Sequence, residues 1–160
     1  ISFAGMKANK DIQQTSISQE DIFREKSHHY LVCFIESCPM REQCLRWLVG
    51  QYADPTPRAQ NGVNPRNPKM GGSLCEMFRK NQRVVMKCGF TNLYHEMPGY
   101  MEHRIRCQLI ATFGRKKYFE MRRGDRLITP AQQETIATVC RLNGWQGPLV
   151  YDDEQEDWLW

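Results

Sequence analysis

The feature that most constrains this chain is a group of cysteines in "CFIESCPMREQC", residues 33–44. Cys33, Cys38 and Cys44 lie in this stretch, and Cys75 follows a loop at 55–74 that is rich in proline and glycine. Zinc and iron–sulfur centres need about four thiolates that converge on one point, usually a local group plus a distant ligand. The spacing therefore predicts a metal site at these four cysteines, with zinc favoured over an iron–sulfur cluster.

Other uses of these cysteines stay open. No Cys-x2-Cys knuckle is present, and an unligated cysteine is often buried as a small hydrophobic residue, so no metal at all is a full alternative. A disulfide between Cys38 and either Cys44 or Cys75 is another. His28 and His29 lie just upstream and could replace one thiolate, because imidazole suits zinc.

The composition indicates a protein of the reducing cytoplasm. A chain of 160 residues has the length of a single domain. It contains no apolar run long enough to cross a membrane, and its start, "ISFAGMKANK", has no apolar segment typical of a signal peptide. Seven cysteines, an odd number, favour ligands or thiols over disulfide bridges. We expect a cytoplasmic protein that does not associate with membranes.

The first half of the chain predicts two helices and one strand. Residues 1–17 are polar and read as a flexible leader, with Met6 a candidate native start behind residues left from cloning. Ser18 resembles a helix cap, and "HHYLVCFI" predicts a short strand or an extended buried segment. Pro39 suits a first helical position, and the apolar spacing after it predicts a helix to about Asp54 that keeps Arg46 off its apolar face.

The second half predicts a strand at "QRVVMKCGF" and a helix after Pro98-Gly99. "RKKYFEMRRGD" continues as a helix or as the arm of a hairpin, and Thr129-Pro130 begins a last helix that ends near Gly144. "PLVYDD" predicts an edge strand, and the closing "DWLW" is expected to pack on the body. The sum is a predominantly helical α+β fold. It forms one compact domain over residues 18–160, with few short strands and the long Pro/Gly-rich loop.

The charge is unevenly distributed. Residues 58–126 carry 15 Lys and Arg against 5 Asp and Glu, whereas residues 127–160 carry 1 against 6. Such a basic block can contact nucleic acid or an acidic protein, or can be neutralised by the acidic tail "DDEQED". The candidate nucleic-acid or anion-binding residues are Arg104, Arg106, Arg115, Lys116, Lys117, Arg122 and Arg123.

No catalytic residue is assigned from the sequence. Histidines and cysteines are both present, but a catalytic pair is a geometric arrangement that no spacing here implies. We favour a non-enzymatic binding or regulatory domain. A thiol-dependent enzyme that uses one of the clustered cysteines, and a metal-free interaction domain with buried cysteines, are the alternatives.

Three stretches resemble a family of uncharacterised proteins from gut bacteria, a domain of unknown function. They are "CP" followed by "CLR", then "FGRKKYFEMRRGDRLITPAQQETI", and then "NGW" followed by "YDDEQEDW". The resemblance covers most of residues 33–160. It implies a small bacterial protein that stands alone in the cytoplasm, and it implies no activity.

Overall fold

The computed structural model describes residues 18–160, and the leader predicted at 1–17 lies outside the described residues. The chain divides between Phe78 and Arg79 into two units. Across the described residues there are five α-helices and one two-stranded antiparallel sheet, a content compatible with the α+β class. That residues 18–160 act as a single domain stays a prediction.

The first unit contains two α-helices, α1 (Gln19–Ser27) and α2 (Leu45–Gly50), and a 3-10 helix at Arg41–Gln43. Ser18 caps α1 as predicted, since its hydroxyl oxygen accepts from the Asp21 N–H at 3.2 Å. The core of this unit includes Phe23, Val32, Leu45 and Val49, each at most 2 % exposed.

One prediction for this unit is wrong, and another left two alternatives that the structure separates. The stretch "HHYLVCFI" forms no strand, since Val32 makes only an isolated bridge to Gly62, but Val32 and Cys33 are buried outside any helix, as the alternative of an extended buried segment predicts. The helix predicted from Pro39 begins at Leu45, because successive turns and the 3-10 helix occupy the chain before Cys44. Residues 55–74 contain no helix or strand beyond that bridge.

The second unit follows its sequence signals more closely. Its sheet pairs β1 (Arg83–Cys88) with β2 (Asp153–Trp158), and its helices are α3 (Gly99–Phe113), α4 (Arg115–Arg123) and α5 (Pro130–Leu142). Thr129 and Gln132 form a reciprocal capping box at the start of α5, and Gly144 follows its end with a φ of 89°. The alternative left open for "RKKYFEMRRGD" is resolved as a helix.

The helices of this unit enclose an apolar core, which includes Phe90, Ile105, Leu109, Tyr118 and Ile136 at 0 % exposure. The strand predicted at "PLVYDD" is wrong in position, because β2 begins only at Asp153, the last residue of that stretch, and is mostly acidic. The register places Lys87 opposite Glu154, with which it forms an ion pair, and Arg83 opposite Trp158. The Arg83 guanidinium lies 4.3 Å from the Trp158 ring centroid, so cross-strand contacts offset the low strand propensity of the acidic residues.

No helix within residues 18–160 combines the length and the apolar surface that crossing a bilayer requires.

Asp152, the residue before β2, forms hydrogen bonds with the turn that follows β1. Its Oδ2 accepts from the Thr91 N–H at 2.9 Å and from the Thr91 hydroxyl at 2.8 Å, and its Oδ1 accepts from the Asn92 amide side chain at 3.2 Å. Gly89 begins this turn with a φ of 66°, and a Cβ there would collide with the Asp152 carboxylate. Partial burial raises the pKa of the carboxyl, but the hydrogen bonds from Thr91 and Asn92 outweigh it, so the pKa is lowered from 3.8.

We predict that Asp152→Ala lowers the free energy of unfolding by about 1 kcal/mol at pH 7, the scale of an ordinary hydrogen bond. Because the carboxyl pKa is lower in the folded state, its contribution is fully present above the unfolded pKa and is lost as the pH falls through the folded pKa. Urea denaturation at pH 7 and at pH 3 measures the difference. Glu156→Ala, in an exposed residue of β2, is the control, and an Asp152→Ala cost that does not shrink at pH 3 would contradict the account.

Candidate metal centre and basic surface

Four cysteines line one cavity of the first unit: Cys33, Cys38, Cys44 and Cys75. Its volume is about 10 Å³, which holds roughly one water-sized sphere. The structure thus brings the four predicted ligands to one small space, although Cys75 lies 31 positions after Cys44 in the chain. The other lining residues include Arg41, Arg46, Trp47 and Phe78.

Close backbone packing fixes the position of Cys33. Its N–H donates to the Arg46 carbonyl at 3.0 Å, which joins the segment of Cys33 to the first turn of α2. At the other end of α2, a Cβ on Gly50 would lie 2.8 Å from the Cys33 carbonyl oxygen. Only a residue without a side chain allows the helix to approach this closely, so Gly50 helps to hold Cys33 against α2.

A run of tight turns places the next two thiols. The Cys38 N–H donates to the Ile35 carbonyl at 3.2 Å, and the Arg41 N–H donates to the Cys38 carbonyl at 3.2 Å. The Cys44 N–H then donates to the Arg41 carbonyl at 3.0 Å, and Cys44 is the N-terminal cap residue of α2. These turns replace the first part of the predicted helix, and they allow both side chains to reach the cavity.

Cys75 reaches the cavity from the end of the long loop. Its N–H donates to the Gly72 carbonyl at 3.1 Å, and its carbonyl accepts from the Phe78 N–H at 3.1 Å. Its thiol lies 4.0 Å from the Met70 sulfur. Gly71, with a φ of 75°, precedes this turn and also lines the cavity.

The electrostatics of the cavity oppose four uncompensated thiolates. Burial raises the pKa of the Cys33 thiol, a backbone hydrogen bond from Ile35 opposes the rise, and the thiols of Cys44, Cys38 and Cys75 add to it. Each neighbouring sulfur, once ionised, would repel the Cys33 thiolate. A divalent cation held among the four sulfurs would offset this repulsion.

Arg46 lines this cavity, whereas the sequence predicted that it lies off the apolar face of its helix. Its residue is 8 % exposed, its Nε donates to the Met77 carbonyl at 2.8 Å, and its Nη1 donates to the Leu31 carbonyl at 2.7 Å. The guanidinium also lies 4.9 Å from the centroid of the Tyr30 ring. No carboxylate within residues 18–160 forms an ion pair with it.

Trp47 adds a polar group that needs an acceptor. It lines the cavity, and its indole N–H is buried without a hydrogen-bond partner in the part of the chain that the structure describes. Buried donors are seldom left unpaired, and a thiolate sulfur is an acceptor. The donor set, the small volume and this unpaired N–H all fit a single ion held by thiolates.

The four sulfurs are not yet arranged as ligands. Within residues 18–160, no group of three or more His, Cys, Asp and Glu side chains is placed so as to hold a metal ion. None of the seven cysteines, all of which are described, forms a disulfide. Metal binding would therefore require the sulfurs to move from the positions that they have in this structure.

The two histidines considered as substitute ligands do not line this cavity. His28 caps the end of α1 and lies beside a separate depression with Asp54. His29 is exposed.

The other cysteines have separate environments in the second unit. Cys140 is 1 % exposed, and burial raises its pKa to about 11. Cys107 is exposed on α3, one turn from His103, with 3.9 Å between the Cys107 sulfur and His103 Nε2. This exposed Cys–His pair is an arrangement that spacing alone did not single out.

The predicted basic residues lie on α3 and α4, but they are not equivalent. Arg106 pairs with Glu102 at 3.4 Å, and Arg123 pairs with Asp125 at 2.8 Å. Arg122 is half-buried and lies 5.8 Å from the Tyr94 ring, so it contributes little to an outer surface. Of the remaining members, Arg104, Arg115 and Lys116 are exposed. Arg115 and Lys117 each lie over an aromatic ring.

Among the described residues, the acidic tail forms no ion pair with these helices. Its one ion pair within residues 18–160 joins Glu154 to Lys87 of β1, which lies in the basic block 58–126.

The aromatic residues between the basic ones of α4 pack inward. Phe119 makes an edge contact with Tyr118 at 5.1 Å, and Phe113, at the end of α3, packs against the core. Tyr100, one turn before Arg104 on α3, is 67 % exposed. Exposed aromatic surface therefore lies near the start of α3 and not beside Lys116 and Lys117.

A family model described as a family of unknown function (DUF6078) matches residues 14–160 of the chain. No curated protein and no solved structure matches the chain. The predicted resemblance to a domain of unknown function is confirmed, and the gut-bacterial origin stays a prediction.

We predict that, among the three cysteines of the second unit, an alkylating reagent modifies Cys107 first and Cys140 last in the native protein. A pKa of about 11 leaves little Cys140 thiolate near pH 8, so its rate should keep rising toward pH 11, whereas the exposed Cys107 needs no opening of the fold. Mass spectrometry of peptides labelled for increasing times measures the order. In urea the three rates should converge, and equal rates for Cys107 and Cys140 in the native protein would contradict this account.

Proposed function

Since the chain belongs to the DUF6078 family, a family of unknown function, we propose its function from its own residues. It is a non-enzymatic binding domain of the cytoplasm. Its first unit is held together by one zinc ion at Cys33, Cys38, Cys44 and Cys75, and its second unit contacts a polyanion through the basic side chains of α3 and α4. The convergence of the four thiols on one cavity is the observation that carries this proposal.

Zinc fits the cavity better than an iron–sulfur cluster does. Zinc is a single ion that four thiolates bind tetrahedrally, and the cavity of about 10 Å³ has room for one sphere of that order. A cluster of several iron and sulfide atoms needs much more space. Free thiols throughout the chain support a reducing compartment, in which zinc–thiolate sites persist.

A bound ion would also account for the architecture of the first unit. Its described part has α-helices of nine and six residues, and residues 55–74 add none. Small units of this kind usually need a metal or disulfides in addition to their apolar core. An ion held by Cys33, Cys38, Cys44 and Cys75 would join the C-terminal end of the long loop to the segment before α2.

We predict that purified protein binds about one equivalent of zinc, and that Cys38→Ala weakens the affinity for zinc at least about 100-fold, because one of four ligands is removed. Elemental analysis and competition with a chromogenic chelator measure both, and cobalt substitution reports tetrahedral thiolate ligation. Cys107→Ala is the matched control, since that exposed cysteine lies outside the cavity and should leave the affinity unchanged.

Three results would contradict the zinc site. Equal zinc affinity in Cys38→Ala and wild type would show that zinc does not bind at this site. A brown colour with stoichiometric iron and sulfide would indicate an iron–sulfur cluster instead of zinc. No metal in any variant would favour the metal-free interaction domain.

The proposal for the second unit depends on exposure and charge. The Lys116 side chain is 91 % exposed, and its contact with Glu120, at 3.9 Å, is long for an ion pair. Lys117 and Arg115 lie over the rings of Phe113 and Phe119, which hold their charged groups near the helix surface. Because the rings beside these three cations pack against the core, we propose contact with the phosphates of a nucleic acid and no reading of its sequence.

We predict that Lys116→Gln with Lys117→Gln weakens binding to duplex DNA and lowers the slope of log K against log salt by about 2, because each lysine that contacts a phosphate adds about one to that slope. Fluorescence anisotropy at several salt concentrations measures the slope. Arg24→Gln with Lys69→Gln removes the same charge from exposed positions of the first unit and should change the slope little. Binding to polyglutamate but not to DNA would instead indicate an acidic protein partner, and equal slopes in the two double variants would contradict the surface.

A further inference from the structure

The cavity of the first unit contains a buried cation that has no carboxylate partner among residues 18–160. Arg46 is 8 % exposed, and its side chain contacts two backbone carbonyls and the ring of Tyr30. Burial of a charge is costly unless an opposite charge compensates it, and carbonyl dipoles supply only part of that compensation. The side chain therefore points to a negative charge that the apolar and thiol lining does not provide while the thiols are protonated.

A second cation shares the same cavity. Arg41 lines it, donates from Nη1 to the Glu36 carbonyl, and lies 5.5 Å from the centroid of the Trp47 ring. Like Arg46, it forms no ion pair within residues 18–160. Two arginines without carboxylate partners, on the wall of one small cavity, form a charged site whose ligand should be anionic.

Thiolates that hold a metal would supply this charge. Four thiolates around a divalent ion leave a net charge of about −2, which two arginines balance. Protonated thiols or disulfides would be neutral and would leave both arginines uncompensated. A site of three thiolates and one imidazole would carry about −1 and balance only one of them.

We infer that Arg46, assisted by Arg41, is the charge-compensating residue of a dianionic centre in which all four cysteines bind one divalent ion as thiolates. This inference rests on the proposed zinc site and adds its charge state and the residue that sets it. Arg46 is a positioning residue and not a ligand, because its guanidinium has no lone pair for a metal. Its two bonds to the Leu31 and Met77 carbonyls hold the cation beside the segments that contain Cys33 and Cys75.

The test compares zinc affinity in wild type, Arg46→Met and Arg46→Lys by competition with a chelator of known affinity. Arg46→Met should weaken zinc binding about 10–100-fold, the usual cost of losing a group that supports a metal's ligands. Arg46→Lys keeps the charge and should recover much of the affinity. Arg115→Met, which removes an arginine from the second unit, is the matched control and should bind zinc as wild type does.

A purely structural role for Arg46 is separated by a double-mutant cycle with Cys75→His. That substitution lowers the charge of the loaded site to about −1, so the loss caused by Arg46→Met should be several-fold smaller in the Cys75→His background. An equal loss in both backgrounds would overturn the charge role. So would an Arg46→Lys variant as weak as Arg46→Met.

If Arg46→Met fails to fold or Cys75→His fails to bind zinc, the Arg41→Met variant still tests the inference. Arg41 is only half-buried, and its removal leaves the bonds of Arg46 intact, so a weakening of zinc affinity of about tenfold is expected. Unchanged affinity in that variant would overturn the inference. If wild type itself binds no divalent metal, the proposed zinc site fails first and the charge role falls with it. If Arg46→Met and Arg41→Met both bind zinc with the affinity of wild type, the charge role is refuted and the zinc site is not.

Discussion

The burial of Arg46 is the constraint on which the first unit depends. Its guanidinium joins the carbonyls of Leu31 and Met77, and its own carbonyl accepts from the Cys33 N–H. One residue thus connects the start of the segment that contains the thiols, the first turn of α2 and the end of the long loop. Removal of its side chain would leave the carbonyls of Leu31 and Met77 without this donor, which by itself costs stability. That loss can be separated from the electrostatic role of Arg46 only by an experiment that changes the charge around it.

Local sequence signals predicted the second unit well because its elements are stabilised locally. Thr129 and Pro130 begin α5 through a capping box, and apolar residues at helical spacing place α3 on the core. The misplaced β2 shows the limit of such signals. Its acidic residues have low strand propensity, and only their contacts with the partner strand β1, which propensity does not contain, stabilise them there.

The first unit was predicted less well for a related reason. Pro39 is a sound helix-start signal, yet the turns from Cys38 to Cys44 displace the helix to Leu45. The four cysteines were found from the sequence because thiol ligands are chemically distinctive and few. Arg46 was missed because a charged residue on a short helix is normally exposed, and no pattern in the sequence marks an arginine whose partners are carbonyls from two distant segments.

The two units therefore differ in what their stability would depend on. The second unit has an apolar core built from three helices and a strand pair, which needs no further component. The first unit combines short helices, a long irregular loop and a wall of thiols and arginines. Binding free energy at a metal site that forms only in the folded chain is also folding free energy. If the proposed zinc site is correct, loss of zinc would therefore destabilise the first unit, whereas the core of the second unit contains none of its ligands.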